Sequence, residues 1–221
     1  TGGNVSLYNE SIDEEGNKKP IQPTPVIGMV GVLDNVKQAV SSGWKNINDE
    51  IWIIGSRDSG LTLGATSYLE YFHGQITGRP PSLNLIDEKL CQLFIRNGIL
   101  NNLIISSHDI SDGGLAIALA EACILSDKGA SINLIADERI DSLLFSEGGS
   151  RIIFSISHMK KNEWLKFVSE ESKNFTDSIY VTKIGTVLQD TLKIKISDNI
   201  ICDLKISSLA DKFNNGLSNN F

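Results

Sequence analysis

The sequence SSHDISDGGLAIALAEA, which begins at residue 106, contains the residues best suited to chemistry. An apolar strand is predicted to end at residues 106–107, with His108 and Asp109 in the connection to a helix opened by Gly113 and Gly114. Unpaired backbone N–H groups at a helix N-terminus attract anions. Because carboxylates repel a bare phosphate, the pattern favours a phosphate held together with Mg²⁺.

The same stretch also fits a purely structural interpretation. Ser111 or Asp112 could cap an ordinary helix, since both residue types accept hydrogen bonds from N–H groups of the first turn. A single histidine such as His108 is more often packed against its neighbours than catalytic. Pattern alone leaves both interpretations open.

A second glycine pair follows an acid in LLFSEGGSR, where Ser146, Glu147, Gly148 and Gly149 precede a predicted strand. A glycine pair beside a carboxylate can line a ligand, because backbone without side chains allows close approach. The alternative is a β-turn with a solvated acid. The residues themselves do not decide between the two.

The first ten residues, TGGNVSLYNE, have a similar character. Gly2 and Gly3 predict a tight turn, and Asn4 and Ser6 lie on one face of the strand predicted near residues 4–8. A ligand lying across this strand could contact Asn4, Ser6 and the backbone of Gly3. A plain strand after a glycine turn is the alternative. The polar start without methionine indicates a fragment of a longer chain.

Composition limits the class of protein. Of the 221 residues, 27 are acidic and 20 basic, giving a net charge of -7, which argues against a general nucleic-acid surface. The three cysteines, Cys91, Cys123 and Cys202, are far apart in apolar sequence, typical of buried reduced thiols in a cytosolic protein. No apolar run approaches the roughly 20 residues of a membrane span. We therefore expect a cytoplasmic protein.

Strands and helices alternate along the chain. Strands are predicted at 26–33, 50–56, 103–107, 131–136 and 151–157, followed by a β-meander with a turn at 197–199. Helices are predicted at 61–74, 85–98, 113–126 and 161–171, and a short turn or helix at 35–40. In the second helix, Ile86, Leu90, Leu93 and Phe94 form the predicted apolar face, and Gly98 its end. The fold class is α/β, or α+β with a layered sheet, and a domain boundary is expected within 34–48.

Four motifs, GGNVSLYNE, PTPVIGMVG, SHDISDGGLAIALAE and LFSEGGSR, resemble in order and spacing the carboxyl-terminal portion of phosphoribosylformylglycinamidine synthase. The resemblance covers essentially the whole chain and is strongest to the synthetase subunit of the small, multi-subunit form. It implies a carboxyl-terminal domain like that of aminoimidazole ribonucleotide synthetase, a mixed sheet packed with helices, over 41–221. Residues 1–40 would end a preceding ATP- and substrate-binding domain.

The family is an ATP-dependent ligase of purine biosynthesis. It converts formylglycinamide ribonucleotide to the amidine, with ATP and Mg²⁺ as cofactors and ammonia from a glutaminase subunit, while a small subunit assists assembly. The resemblance therefore implies that these two subunits are partners, and that the protein binds neither nucleic acid nor a membrane. An alternative is a non-catalytic module that stabilises the enzyme and docks its subunits.

Matched residue by residue, the resemblance gives roles to the first turn. Gly3 would contact ATP, Asn4 would help to hold Mg²⁺, and Ser6 would contact formylglycinamide ribonucleotide. An amide oxygen is a hard neutral magnesium ligand, and a hydroxyl can donate to substrate oxygens. The catalytic residues would lie outside this sequence, so the chain alone is expected to be inactive.

The other matched residues belong to a pseudo-equivalent site of the duplicated family. Asp109 is the counterpart, in this site, of an aspartate that binds magnesium in the other half of the family's chain, and Gly113 and Gly114 follow it. Glu147 is likewise the counterpart of a glutamate in a substrate loop. The family usually has Ser-Glu-Ser-Gln in that loop, whereas this chain has Ser-Glu-Gly-Gly at 146–149.

Overall fold

The computed structural model describes residues 10–21, 27–57, 60–135 and 139–216, and contacts divide the chain into two units, Thr1–Asp34 and Asn35–Phe221. In the first unit, β1 (Glu10–Ile12) pairs antiparallel with β2 (Lys18–Pro20). The Asp13 side chain shapes the turn between them, because its Oδ1 accepts from the backbone N–H of Asn17 at 2.8 Å. The acidic stretch at 13–17 is thus the turn of a hairpin.

The second unit is built around β3 (Glu50–Ser56), in which all seven residues are buried. Ile51 and Ile53 belong to one cluster of core side chains. Trp52 and Ile54 belong to a second cluster on the opposite face of the strand. A continuous apolar strand is typical of a sheet covered on both faces, and the strand predicted at 50–56 is confirmed.

Six further strands complete the main sheet. They are β4 (Ile104–Asp109), β5 (Gly129–Leu134), β6 (Arg151–Ile156), β7 (Ile179–Leu188), β8 (Thr191–Ile196) and β9 (Asn199–Lys205). Their order is β4-β6-β3-β7-β5-β8-β9. Neighbouring strands are antiparallel except β5 and β8, which are parallel. The mixed sheet of the predicted α/β class is confirmed.

Helices cover both faces of this sheet. They are α1 (Ser67–His73), α2 (Leu85–Leu100), α3 (Gly114–Ser126), α4 (Ile140–Phe145), α5 (Lys161–Glu171) and α6 (Ile206–Asn215). Helices α3, α4 and α6 contribute to the cluster that contains Ile51. Helices α2 and α5 contribute to the cluster that contains Trp52. The result is a layer of helices on each side of the sheet.

The buried face of α2 agrees with the prediction only in part. Phe94 is buried and Leu90 packs against the core, as predicted. Ile86, however, is 65% exposed and Leu93 37% exposed, while Asp87 and Cys91 are buried. Gly98 does not end the helix, which continues to Leu100. Gly98 lies within the helix at a point where the Ile104 side chain packs against it. A Cβ on Gly98 would be 2.5 Å from the Cδ1 of Ile104, too close without a shift of that side chain. Close packing of the helix on β4, rather than a cap, explains this glycine.

The buried strand predicted at 26–33 is wrong for the described residues 27–33. They form no strand, and Met29 is 92% and Val30 100% exposed. The sequence has the apolar character of a strand, but the described part of the chain supplies no neighbouring strand for it.

Smaller differences concern element boundaries. β4 continues to Asp109, beyond the end predicted at 106–107, and α1 begins only at Ser67. Gly74 caps α1 with a left-handed φ of 61°, as predicted. The short helix predicted at 35–40 is found at Val36–Gln38. β7, α4 and α6 were not predicted from the sequence.

The cysteines are not in disulfide bonds, and Cys91 and Cys123 are buried. Burial raises the pKa of the Cys91 thiol to about 12 and that of Cys123 to about 11. Such thiols are poor nucleophiles near neutral pH. The prediction of buried thiols is thus confirmed for these two, while Cys202 is only partly buried.

No helix in the described ranges is both long enough and apolar enough to cross a membrane.

Asp87 is a fully buried carboxylate at the start of α2, held by three hydroxyl groups. Its Oδ1 accepts from Thr176 Oγ1 at 2.7 Å, and its Oδ2 accepts from Ser56 Oγ and Ser178 Oγ. Burial by itself would raise the pKa of the Asp87 carboxyl, but the three donors outweigh it and lower the pKa. The carboxylate joins α2 to the end of β3 and to the segment before β7.

We expect Asp87→Ala to lower the free energy of unfolding by about 3 kcal/mol, since three hydroxyls lose a charged acceptor in a buried site. Because the folded pKa is lowered, the contribution is complete above the ordinary aspartate pKa and is lost as pH falls through the folded value. Urea unfolding of both proteins at neutral and acidic pH measures it.

Ser178→Ala is the matched control, because it removes one donor and keeps the acceptor. It is expected to cost about 1 kcal/mol. Equal losses for the two variants at neutral pH would contradict the role given to the carboxylate.

Candidate functional site

Two consecutive glycines form the turn between β4 and α3. Gly113 has φ 77° and Gly114 φ 72°, a left-handed conformation that favours glycine. A Cβ on Gly114 would lie 2.7 Å from the backbone oxygen of Leu144 and from backbone carbons of Phe145. The start of α3 therefore packs directly on the end of α4, and this contact requires a glycine at 114. At position 113, a Cβ would instead lie 2.4 Å from the Ile117 side chain.

The Glu147 carboxylate lies at this turn. Its Oε1 accepts from the backbone N–H of Gly113 at 2.8 Å and from that of Ser67, the first residue of α1, at 2.9 Å. A carboxylate is stabilised at a helix N-terminus by the N–H groups and the helix dipole. The sequence predicted an anion site at the N–H groups near the start of α3. One of these groups, the N–H of Gly113, instead binds a carboxylate of the protein itself.

Arg151 shapes the loop that carries Glu147. Its guanidinium, on a residue only 3% exposed, donates from Nη2 to the carbonyl of Ser146 and from Nε to that of Gly148 at 3.4 Å. Burial lowers the pKa of the Arg151 guanidinium. The hydroxyl of Ser146 is buried and has no hydrogen-bond partner among the described residues. Both carbonyl contacts hold residues 146–148 in place beside Gly113.

His108 is held on both sides of its ring. Nδ1 lies 2.7 Å from the carbonyl of Asp109, and Nε2 lies 3.1 Å from Oε2 of Glu121 on α3. The side chain is 13% exposed. These contacts join β4 to α3 and support the interpretation of His108 as a packed histidine.

Asp109 lies at the end of β4 with its side chain 77% exposed. Its Oδ1 lies 3.6 Å from Nδ1 of His108. Within the described ranges, no group of three histidine, cysteine or acidic side chains could hold a metal ion. A magnesium ion at Asp109 would therefore take its other ligands from water, from a phosphate or from residues outside the described ranges.

The structure brings only some of the predicted residues together. Gly113 and Glu147 are in direct contact and Gly114 packs beside them, while Asp109 is exposed at the end of the neighbouring strand. Neither Ser111 nor Asp112 caps α3 with its side chain. Gly3, Asn4 and Ser6 lie outside the described residues, so their roles remain predictions.

Sequence reasoning missed Ser67 and Arg151. The N–H of Ser67 carries no signal in the sequence, because any residue type could donate it. Arg151 did offer one, since it opens the apolar strand RIIFSI, where a charged residue needs a specific reason.

We expect Glu147→Gln to remove the protection of the Gly113 and Ser67 amide hydrogens from exchange with solvent. The neutral amide is a weaker acceptor for two N–H groups at helix ends, so the free energy of unfolding should fall by about 1 kcal/mol. Amide exchange measured by NMR gives the local effect and urea unfolding the global one.

Glu170→Gln on α5 is the control, because Glu170 is exposed and its ion pair with Lys166 is a surface pair. Unchanged exchange at Gly113 and Ser67 in the Glu147 variant would exclude the bridge between the two helix ends.

Comparison with known proteins places this geometry in a family. Residues 46–192 match the family model of the AIR synthase related protein, C-terminal domain. The chain is 63% identical over 222 residues to phosphoribosylformylglycinamidine synthase subunit PurL of Prochlorococcus marinus (strain AS9601), covering 100% of this chain and 28% of that protein. Against the same subunit of strain MIT 9313, identity is 41%, with 96% of this chain and 28% of that protein covered. The chain thus spans less than a third of the length of these relatives.

Solved structures agree on the fold. Thermotoga maritima PurL complexed with FGAR superposes with a TM-score of 0.65 at 17% identity, covering 79% of this chain and 30% of that one. The complex with ATP superposes with a TM-score of 0.60 at 16% identity, covering 79% and 28%. At these identities the likeness shows the fold.

Proposed function

Because the chain belongs to the AIR synthase related family, we propose that it is part of a phosphoribosylformylglycinamidine synthase, an ATP-dependent ligase of purine biosynthesis. The observation that carries the proposal is the identity of 63% to a PurL subunit over the whole of this chain. Solved PurL structures include complexes with FGAR and with ATP. Formylglycinamide ribonucleotide and ATP are accordingly the proposed substrates.

The proposed reaction replaces an amide oxygen by nitrogen. The amide oxygen of formylglycinamide ribonucleotide attacks the terminal phosphorus of ATP, which gives ADP and an iminophosphate. Ammonia then adds to the activated carbon, and inorganic phosphate leaves with the former amide oxygen. The activation is needed because an amide oxygen is a poor leaving group.

This chain would contribute the turn at its start. Gly3 offers backbone without a side chain to ATP, Asn4 an amide oxygen to Mg²⁺, and Ser6 a hydroxyl to the substrate. When bound, Mg²⁺ neutralises charge that develops on the transferred phosphoryl group. The donor set fits, since Mg²⁺ is commonly bound by one or two protein oxygens together with waters and phosphates.

The domain organisation extends the proposal. We assign residues 1–40 to the end of an ATP- and substrate-binding domain and residues 41–221 to the carboxyl-terminal domain. The exposed apolar residues at 27–33 support this, because Met29, Val30 and Val32 are each more than 90% exposed. Such a segment is expected to pair with strands from elsewhere in a longer protein.

We propose that the whole enzyme lies in the cytoplasm and works with a glutaminase subunit, which supplies ammonia, and with a small assembly subunit. A second candidate function is a non-catalytic module that stabilises the enzyme or docks these partners. One observation favours it for the carboxyl-terminal domain: Glu147 already engages the N–H of Gly113, where a phosphate would bind.

The test compares the full-length protein with the 221-residue chain. With ammonium as nitrogen source, the full-length protein should release phosphate from ATP only when formylglycinamide ribonucleotide is present. The isolated chain should release none, because the proposed catalytic residues lie outside it. Turnover by the chain alone would contradict that assignment, and no turnover by the full-length protein would contradict the ligase.

A further inference from the structure

A cavity of about 300 Å³ opens between the end of α2, the start of β4 and the segment before β3. We call it the lysine cavity, and its main lining residues are Lys37, Lys45, Asn46, Ile99, Asn102 and Ile105. Its volume is at the lower end of the range for small-molecule sites, about 300 to 1,000 Å³. The cavity lies at the opposite end of β4 from Gly113, so it is distinct from the site described above.

Two lysines line this cavity, and a third is bonded to the backbone of a lining residue. Lys45 Nζ donates to Ser41 Oγ at 2.8 Å, which fixes its position. Lys160 Nζ donates to the backbone carbonyl of Asn102 at 3.1 Å and so adjoins the same wall. Lys37 lines the cavity from the segment after the first unit. Two lysines thus line one small cavity, and a third is bonded to one of its lining residues, on a chain whose net charge is -7.

The three lysines have no acidic partner within 4.0 Å in the part of the chain that the structure describes. Nearby Lys161 and Lys183 differ, because both pair with the Glu50 carboxylate, at 3.5 Å and 2.8 Å. Cations that converge without a counter-charge repel one another, and a bound anion relieves the repulsion.

The remaining lining is apolar or neutral. Ile99, Ile104 and Ile105 supply a hydrocarbon wall, and Asn46 and Asn102 supply amide groups. The side-chain N–H of Asn46 already donates to Asp49 Oδ2 at 3.1 Å, so this amide is held in place. An apolar wall with a few fixed polar groups and cations is typical of a site for an organic anion.

We propose that the lysine cavity binds a small molecule in which a phosphate or carboxylate group is attached to a compact apolar body. The anionic group lies between the lysine ammonium groups, and the apolar body rests on the isoleucines. This site does not depend on the proposed ligase activity, and its test uses no substrate of that reaction.

The test is an NMR titration of the 221-residue chain with inorganic phosphate and with phenyl phosphate at constant ionic strength. We expect amide shifts confined to Lys37, Lys45, Asn46, Asn102 and their neighbours. Phenyl phosphate should bind about threefold more tightly or better, because its ring buries apolar surface against the isoleucines. Equal affinities, or shifts spread over lysines elsewhere, would overturn the proposal.

Three variants make the test specific. The double variant Lys37→Gln, Lys45→Gln should raise the Kd for phenyl phosphate about fivefold or more. Asn102→Asp, at a residue whose φ of 55° an aspartate also tolerates, should weaken binding by adding a like charge. Lys166→Gln on α5 is the control and should leave the Kd unchanged. An unchanged Kd in the double variant, with the fold intact by circular dichroism, would overturn the proposal.

Discussion

Replacing Trp164 by alanine is expected to lower the free energy of unfolding by about 4 kcal/mol, the largest loss that we expect from a single side chain. Trp164 is fully buried on α5. It lies at the centre of an aromatic cluster, with ring centroids 5.3 Å from Phe154, 5.5 Å from Trp52 and Phe167, and 5.7 Å from Phe94. Alanine would leave a cavity between α5, α2 and the sheet, because neighbouring rings can only partly fill it.

Trp164→Phe is the informative control. The indole N–H of Trp164 is buried and has no acceptor among the described residues, so phenylalanine removes an unsatisfied donor while keeping an aromatic ring. We expect this variant to lose no more than about 1.5 kcal/mol.

Urea unfolding followed by circular dichroism distinguishes the two variants, since the midpoint should fall without a change in slope. Tyr71→Ala, at a side chain 83% exposed, should stay within about 0.5 kcal/mol of the parent chain. If Trp164→Ala lowers the free energy of unfolding no more than Trp164→Phe does, the aromatic cluster does not stabilise this face of the sheet as proposed.

The sequence predicted the central elements because their patterns are strong and local. The run EIWIIGS is apolar at consecutive positions and forms β3, and an alanine- and leucine-rich run after Gly113 forms α3. Leu192, Ile194 and Ile196 alternate and are buried in β8, as predicted. In these segments the residue pattern and the surrounding fold favour the same structure.

The missed elements lack such patterns. β7 contains Thr182, Lys183 and Gly185 between its apolar residues, and β3 beside it supplies much of its pairing. α4 spans only Ile140–Phe145, too short for a helical period to be visible. Non-local pairing and short length, respectively, remove the signal on which sequence reasoning depends.

Part of the α2 face was predicted wrongly for a related reason: Leu90 and Phe94 face the core as predicted, but Ile86 and Leu93 do not. The apolar residues Ile86 and Leu93 gave a plausible helical stripe, but Asp87 is buried in their place. An aspartate in the core is stable only because Ser56, Thr176 and Ser178, distant in the chain, donate to it. No window of the α2 sequence contains that information.

For the candidate site, the glycines could be predicted and their partner could not. Gly113 and Gly114 were predicted from the change of pattern from strand to helix, and both adopt the left-handed conformation. That Glu147 accepts from Gly113 depends on α4 and its loop, which the sequence analysis did not place. The roles of Asp109 and Glu147 in binding remain predictions.

Asn4→Ala in the full-length protein tests whether the turn predicted at residues 2–6 belongs to a ligase active site, as we propose. Phosphate release that depends on formylglycinamide ribonucleotide should be followed with ammonium as nitrogen source, which bypasses the proposed glutaminase subunit. Asn9→Ala, in the same polar stretch, is the matched control. If Asn4 is a magnesium ligand, as we propose, its loss is expected to lower the rate about a hundredfold or more.

We expect this collapse for Asn4→Ala alone, with the melting temperature of both variants unchanged. A rate for Asn4→Ala equal to that of Asn9→Ala and of the parent protein would contradict it, and this region would then be a scaffold for an active site formed elsewhere.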